Sequence, residues 1–125
     1  MRYAALLLLL AACGENVPPT VEGIRLSNMS ASRFEEFFVT LVSVEDPDGD
    51  VYAGRALVEA KGPETSLGAE VVPFEAEPEK TKGDVIFGAT LSGAVELGNW
   101  RLEVIYEDEG GAQAAPMTAD LELTL

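Results

Sequence analysis

Histidine is absent from the 125 residues, and cysteine occurs once, at position 13. The first absence removes the commonest general base, the imidazole-activated nucleophile and the imidazole metal ligand together. The second rules out an intrachain disulfide, so the fold must be held by its apolar core. Positive charge is scarce as well: eight Lys and Arg stand against 22 Asp and Glu, a net charge of −14. Such a field repels nucleic acid and anionic head groups and attracts cations. Serine never occupies a Gly-x-Ser-x-Gly elbow. Carboxylates are plentiful, but solvated acidic turns are a poor place to raise a carboxyl pKa. The chain is therefore expected to be non-enzymatic and to bind no nucleic acid.

Apolar runs are short everywhere but at the start, where Arg2 precedes an unbroken stretch from Tyr3 to Ala12. About 10 residues cannot span a hydrocarbon core that needs roughly 20, and the order of charge and apolar run is that of a signal peptide. The stretch ends in Leu10-Ala11-Ala12-Cys13, which resembles the bacterial lipobox. That resemblance implies cleavage before Cys13, diacylation of its thiol and acylation of the new amino group. Gly14 follows, where an aspartate often signals inner-membrane retention in lipoproteins, so the resemblance implies the outer membrane. The expected organisation is a signal peptide over 1–12, a lipidated cysteine and tether over 13–19, and one domain over 20–125. The tether Gly14 to Pro19 reaches at most about 20 Å. All the acidic residues follow Cys13, so the mature side-chain charge is −15.

The remainder reads as strands separated by turn chemistry. Trp100, Leu102, Val104 and Tyr106 alternate with Arg101, Glu103 and Glu107, the period of a half-buried strand. Strands are expected over 21–26, 37–44, 51–60, 67–74, 84–91, 100–107 and 121–125. The 37–44 run, apolar on both faces, predicts a central strand covered on both sides. Between the strands stand turns rich in Pro, Gly, Asn and Asp, such as Asp46-Pro47-Asp48-Gly49-Asp50 and Glu109-Gly110-Gly111. Residues 27–36 offer one helical turn at most. Seven short strands without repeats predict an all-β, single antiparallel sandwich.

Two segments resemble immunoglobulin-like, cadherin-like bacterial modules. One is Val42-Ser43-Val44-Glu45-Asp46-Pro47-Asp48-Gly49-Asp50-Val51; the other is Gly98-Asn99-Trp100-Arg101-Leu102-Glu103-Val104 with Asp108-Glu109-Gly110-Gly111. The resemblance implies an immunoglobulin-like sandwich, and it associates the first pentapeptide with calcium. Alternate carboxylates around a bend also suit a hard cation, which makes Asp46, Asp48 and Asp50 the candidate metal ligands. A plain β-turn explains the same residues, with Asp46 bonded to backbone and Gly49 at positive φ. Up-and-down parity places the turns after the second, fourth and sixth strands at one pole. That gathers Asp46, Asp48, Asp50, Glu77, Glu79, Asp84, Glu107, Asp108 and Glu109, with Lys80 and Lys82 for compensation, where the tether enters. Trp100 is expected in the core, and Phe37 and Phe38 on opposite faces.

The functional expectation is a binding or structural module, anchored to the membrane by lipid, whose partner is another envelope protein. The alternative is a calcium-dependent carbohydrate- or surface-binding domain, with calcium its only cofactor.

Overall fold

The computed structural model describes residues 17–75, 77–94 and 96–125. Eight strands run through them: β1 (Gly23–Leu26), β2 (Ser30–Ser32), β3 (Phe37–Glu45), β4 (Arg55–Lys61), β5 (Ser66–Pro73), β6 (Lys82–Ala89), β7 (Gly98–Glu107) and β8 (Met117–Thr124). One sheet has the order β1-β3-β6 and the other β2-β8-β7-β4-β5. All pairs are antiparallel except β2 with β8.

Period-two alternation sets the inner faces. In β7, Trp100, Leu102, Val104 and Tyr106 are buried, each opposite a β4 or β8 residue. Phe37, Val39 and Leu41 of β3 and Val85 and Phe87 of β6 come down from the other sheet, and Leu121 and Leu123 of β8 close the layer. Each such side chain contributes about 1.5–3 kcal/mol by leaving water. Phe74 bridges the sheets, stacking on Tyr106 at 5.8 Å between centroids and tilting against Phe87 at 6.2 Å.

The strands differ from the expected seven in three places, of which the first adds a strand and the other two move a boundary. Where one helical turn was the most expected, the chain changes sheets instead. Ser27 donates its amide to Phe38 O of the first sheet, and Met29 O accepts from Glu122 of the second, so β2 forms between them. The expected strand over 51–60 is broken at its start: Asp50 Oδ1 accepts from the Tyr52 amide, and Val51–Ala53 close a 3-10 turn. Gly54 then lets the backbone pass β7, since a Cβ there would stand 2.5 Å from Glu107 O and 2.6 Å from Tyr106 Oη. The last strand begins earlier than expected, at Met117, because β7 offers partners back to Val104.

β3 is central in its sheet as expected, but the second sheet packs on one of its faces alone; on the other, Thr40 is buried and Phe38 is exposed. Phe37 is buried at 1% exposure while Phe38 is 47% exposed. Covering both faces would take a third layer, and the second sheet packs on one side only. β3 also carries a bulge, because Leu41 pairs with Val85 and Val44 with Gly83, leaving one extra residue in β3. Ser43 takes the strain at φ 51°, and its amide is held by Asp84 Oδ1 at 2.9 Å.

Candidate functional site

The loops after β3, β5 and β7 meet at one pole of the sandwich, as strand parity requires. Asp46 donates its amide to Thr81 O and Val51 donates to Lys80 O, both at 2.8 Å. Lys80 in turn donates its amide to Asp50 Oδ1. The loop after β7 is closed on itself by Asp108, whose amide donates to Ala112 O and whose Oδ1 accepts from the Ala112 amide, each at 2.8 Å. The N-terminal segment arrives at the same pole. Thr20 bridges Glu45 through reciprocal backbone bonds, and the Val17 amide donates to Asp48 Oδ2.

At the centre of the pole lies Asp46, 3% exposed. One carboxylate oxygen receives the Asp48 amide, while Oδ1 is buried and has no hydrogen-bond partner. Burial holds its carboxyl above the usual carboxylate range, and the negative charges of Asp108, Asp48 and Asp50 add to this. Asp108 is buried beside it, at 1% exposure. The Tyr106 phenol completes the buried set, donating to Val51 O at 2.6 Å. Desolvation, and then the Asp46, Asp108 and Asp50 charges, push its ionisation well above the ordinary phenol value.

Asp46, Asp48 and Asp50 thus have three different duties: a buried carboxylate, a hold on the N-terminal segment, and a cap on the 3-10 turn. Among the described residues no three acidic side chains come together as a metal cage. What the fold places beside Asp46 is Asp108, from a loop far along the chain. The turn also works differently from expectation. Positive φ occurs at Gly98 and Gly111 among the glycines and not at Gly49. Gly49 matters through its missing Cβ, which would stand 3.0 Å from Asp46 Oδ2. Compensation at the pole includes a cation that loop reading overlooked: Arg55 at the start of β4 pairs with Glu107 at 2.6 Å. Its position directly across from Glu107 is a matter of register, which only the paired strands define. Cys13 lies outside the described residues.

No family model matches the chain, and no curated protein matches it significantly. Among solved structures, the chain is similar to a PKD domain of an M14-like peptidase from a Thermoplasmatales archaeon. The identity is 16% and the TM-score 0.48, over 89% of this chain and all of that one. It is also similar to part of a β-glucosidase from Erythrobacter marinus, at 12% identity and a TM-score of 0.53 over 85% of this chain. The likeness spans 15% of that enzyme's length and bears on the fold alone. The chain's own topology, in which the first strand is split between a three-stranded and a five-stranded sheet, is that of an immunoglobulin-like β-sandwich.

Proposed function

We propose that the chain is a lipid-anchored protein of the bacterial envelope, held in the outer membrane through Cys13, whose sandwich works by contact with other envelope proteins and without catalysis. The observation that carries the reading is the junction between anchor motif and domain. Val17, four positions after Cys13, already donates its amide to Asp48. Four extended residues reach about 14 Å at most. The acidic pole therefore faces the bilayer at close range, and repulsion from anionic head groups would keep the domain standing off it. Edges and loops are what a sandwich offers to protein partners, which is a fold-level argument.

Metabolic palmitate labelling, with and without globomycin, tests the anchor. Wild type should take label and accumulate as precursor under the inhibitor, and Cys13→Ala should take none. Label persisting in Cys13→Ala overturns the anchor and the location with it.

A second reading, a calcium-dependent carbohydrate- or surface-binding domain, is favoured by one atom. Asp46 Oδ1 is buried and unpartnered beside Asp108, the environment in which a cation would relieve two carboxylates at once. Asp48 would have to leave the Val17 amide to join them. An unchanged melting temperature at millimolar calcium sinks this reading.

A further inference from the structure

Among the described residues the sandwich has four sheet edges, and three of them are blunted. β1 and β2 are four and three residues long. β5 ends in Pro73 and carries an extra residue between the pairs Val58–Glu70 and Ala60–Leu67. Short strands, proline and bulges are the usual protections of an edge against further pairing. β6 has none of these three, and its charged residues, Lys82 and Asp84, stand together at its start. It is eight residues long, without proline, and the bulge in its ladder sits in β3.

Hydrogen-bond direction identifies its unpaired groups. Phe38 accepts from the Ser27 amide and donates its own amide to Ser27 Oγ, so Phe38 turns its backbone toward β1. Its neighbours Phe37, Val39 and Leu41 turn theirs toward Ala89, Phe87 and Val85 of β6. By the alternation of an antiparallel ladder, Ile86 and Gly88 present their amides and carbonyls outward.

A cleft runs along this side, between β6 and the equally outlying β5. One stretch of about 320 Å³ and another of about 580 Å³ adjoin at Val72, Pro73 and Gly88. Apolar side chains such as Leu67, Val72 and Phe74 line it, and every charged residue lining it is acidic: Glu36, Glu70, Glu75, Glu77 and Asp84. On the outer face of the edge, Ile86 is 57% exposed next to Phe38, with Asp84 to one side. To the other side the Glu36 carboxylate lies over Gly88, where a Cβ would collide with it.

The geometry points to β6 as a docking edge for an extended cationic segment of a partner protein, which adds as a fourth strand to β1-β3-β6. Its backbone pairs with Ile86 and Gly88, its inward side chains are apolar and enter the cleft, and its outward ones are Lys or Arg facing Glu36 and Asp84. A second copy of the chain is a poor occupant, since it brings its own acidic edge against this one. The inference rests on the protein-contact reading above and narrows it to one surface and one class of partner.

The test uses the full chain in an uncharged detergent and an alternating lysine–valine peptide of about eight residues, the length of β6. Binding should slow hydrogen exchange at the Ile86 and Gly88 amides and weaken as salt rises. Ile86→Lys, at an exposed site that leaves the core intact, should weaken it about tenfold or more, a loss of roughly 1.4 kcal/mol. Glu122→Lys, the addition of positive charge at an exposed site on β8, should leave it within about twofold, which corresponds to only a few tenths of a kcal/mol. Equal losses in the two variants, protection at the acidic pole in place of β6, or equal binding of an alternating glutamate–valine peptide would each overturn the assignment. So would sedimentation showing a dimer that Ile86→Lys disperses, which would make the occupant a second copy. Absence of peptide binding leaves the palmitate result standing, and absence of palmitate leaves the peptide result standing, so the two failures are told apart.

Discussion

Tyr106 donates its phenolic hydrogen to the Val51 carbonyl at 2.6 Å, and both residues are buried. The bond ties the end of β7 to the 3-10 turn that begins the passage into β4, across 55 positions of sequence. Tyr106→Phe keeps the ring and its stacking on Phe74 but leaves a buried carbonyl without a donor. Thermal unfolding should show a loss of about 1–2 kcal/mol, several degrees in Tm for a domain of this size. A variant as stable as wild type would mean that water reaches Val51.

Asp46 stands in a conflict of charge at neutral pH, because its raised pKa marks a carboxylate that the fold disfavours in ionised form. A group whose folded pKa lies above its unfolded one gives stability below the unfolded value and loses it as pH rises through the folded value. Asp46→Asn keeps an oxygen for the Asp48 amide and removes the charge. Without calcium at pH 7 it should melt a few degrees higher than wild type, the scale of roughly 1 kcal/mol in such a domain. The gain should shrink as pH falls toward the range where Asp46 itself takes a proton. A variant less stable than wild type at pH 7 in a chelating buffer would contradict this.

Glu96 behaves in the opposite sense at the far pole. Its Oε1 accepts from Thr65 Oγ1 at 2.7 Å, the Thr65 amide at 2.8 Å and the Glu64 amide at 3.0 Å, closing the β4–β5 turn. The Thr65 hydroxyl, followed by the Glu64 amide, holds its carboxyl below the usual range. Stability from a depressed carboxyl is present above the unfolded pKa near 4.5 and is lost as pH falls through the folded value. Glu96→Gln should therefore flatten the acid limb of stability below about pH 4.5. Hydrogen exchange at Thr65 would report the turn loosening on the same limb, and an unaltered acid limb would remove Glu96 from it.

The bulge in β3 depends on Asp84. Asp84→Ala frees the Ser43 amide and should cost about 1 kcal/mol. Ser43→Gly relieves the left-handed backbone at φ 51° and should be neutral or stabilising by up to about 1 kcal/mol. Urea unfolding of the two variants checks both signs, and a strongly destabilising Ser43→Gly would show that the hydroxyl matters more than the backbone.

Most of this sandwich was legible before folding, because alternation is a local property. Trp100, expected in the core from its phase with Leu102 and Val104, has no exposed surface, and Phe37 and Phe38 divide between the faces as two successive strand residues must. Parity alone brought the acidic loops to one pole. What could not be read was the partner of any one group. Asp48 and Asp50 look equivalent to Asp46 in the pentapeptide, yet one holds Val17 and the other caps the turn before β4. Asp108 comes beside Asp46 only because β7 ends where β3 ends, and Arg55 meets Glu107 only in the register of β4 on β7.

The sequence by itself determined the class of fold, the want of an intrachain disulfide and of imidazole chemistry, the excess of negative charge, and the lipobox-like approach to Cys13. Each of these follows from residue type or spacing of two, which a chain carries without being folded. Tertiary structure alone decided that Asp46 is a buried, half-satisfied carboxylate, that β2 splits from β1, and that β6 is, among the described residues, a long edge without proline or bulge. Burial and edge status depend on which strands lie alongside, and those strands come from distant parts of the chain.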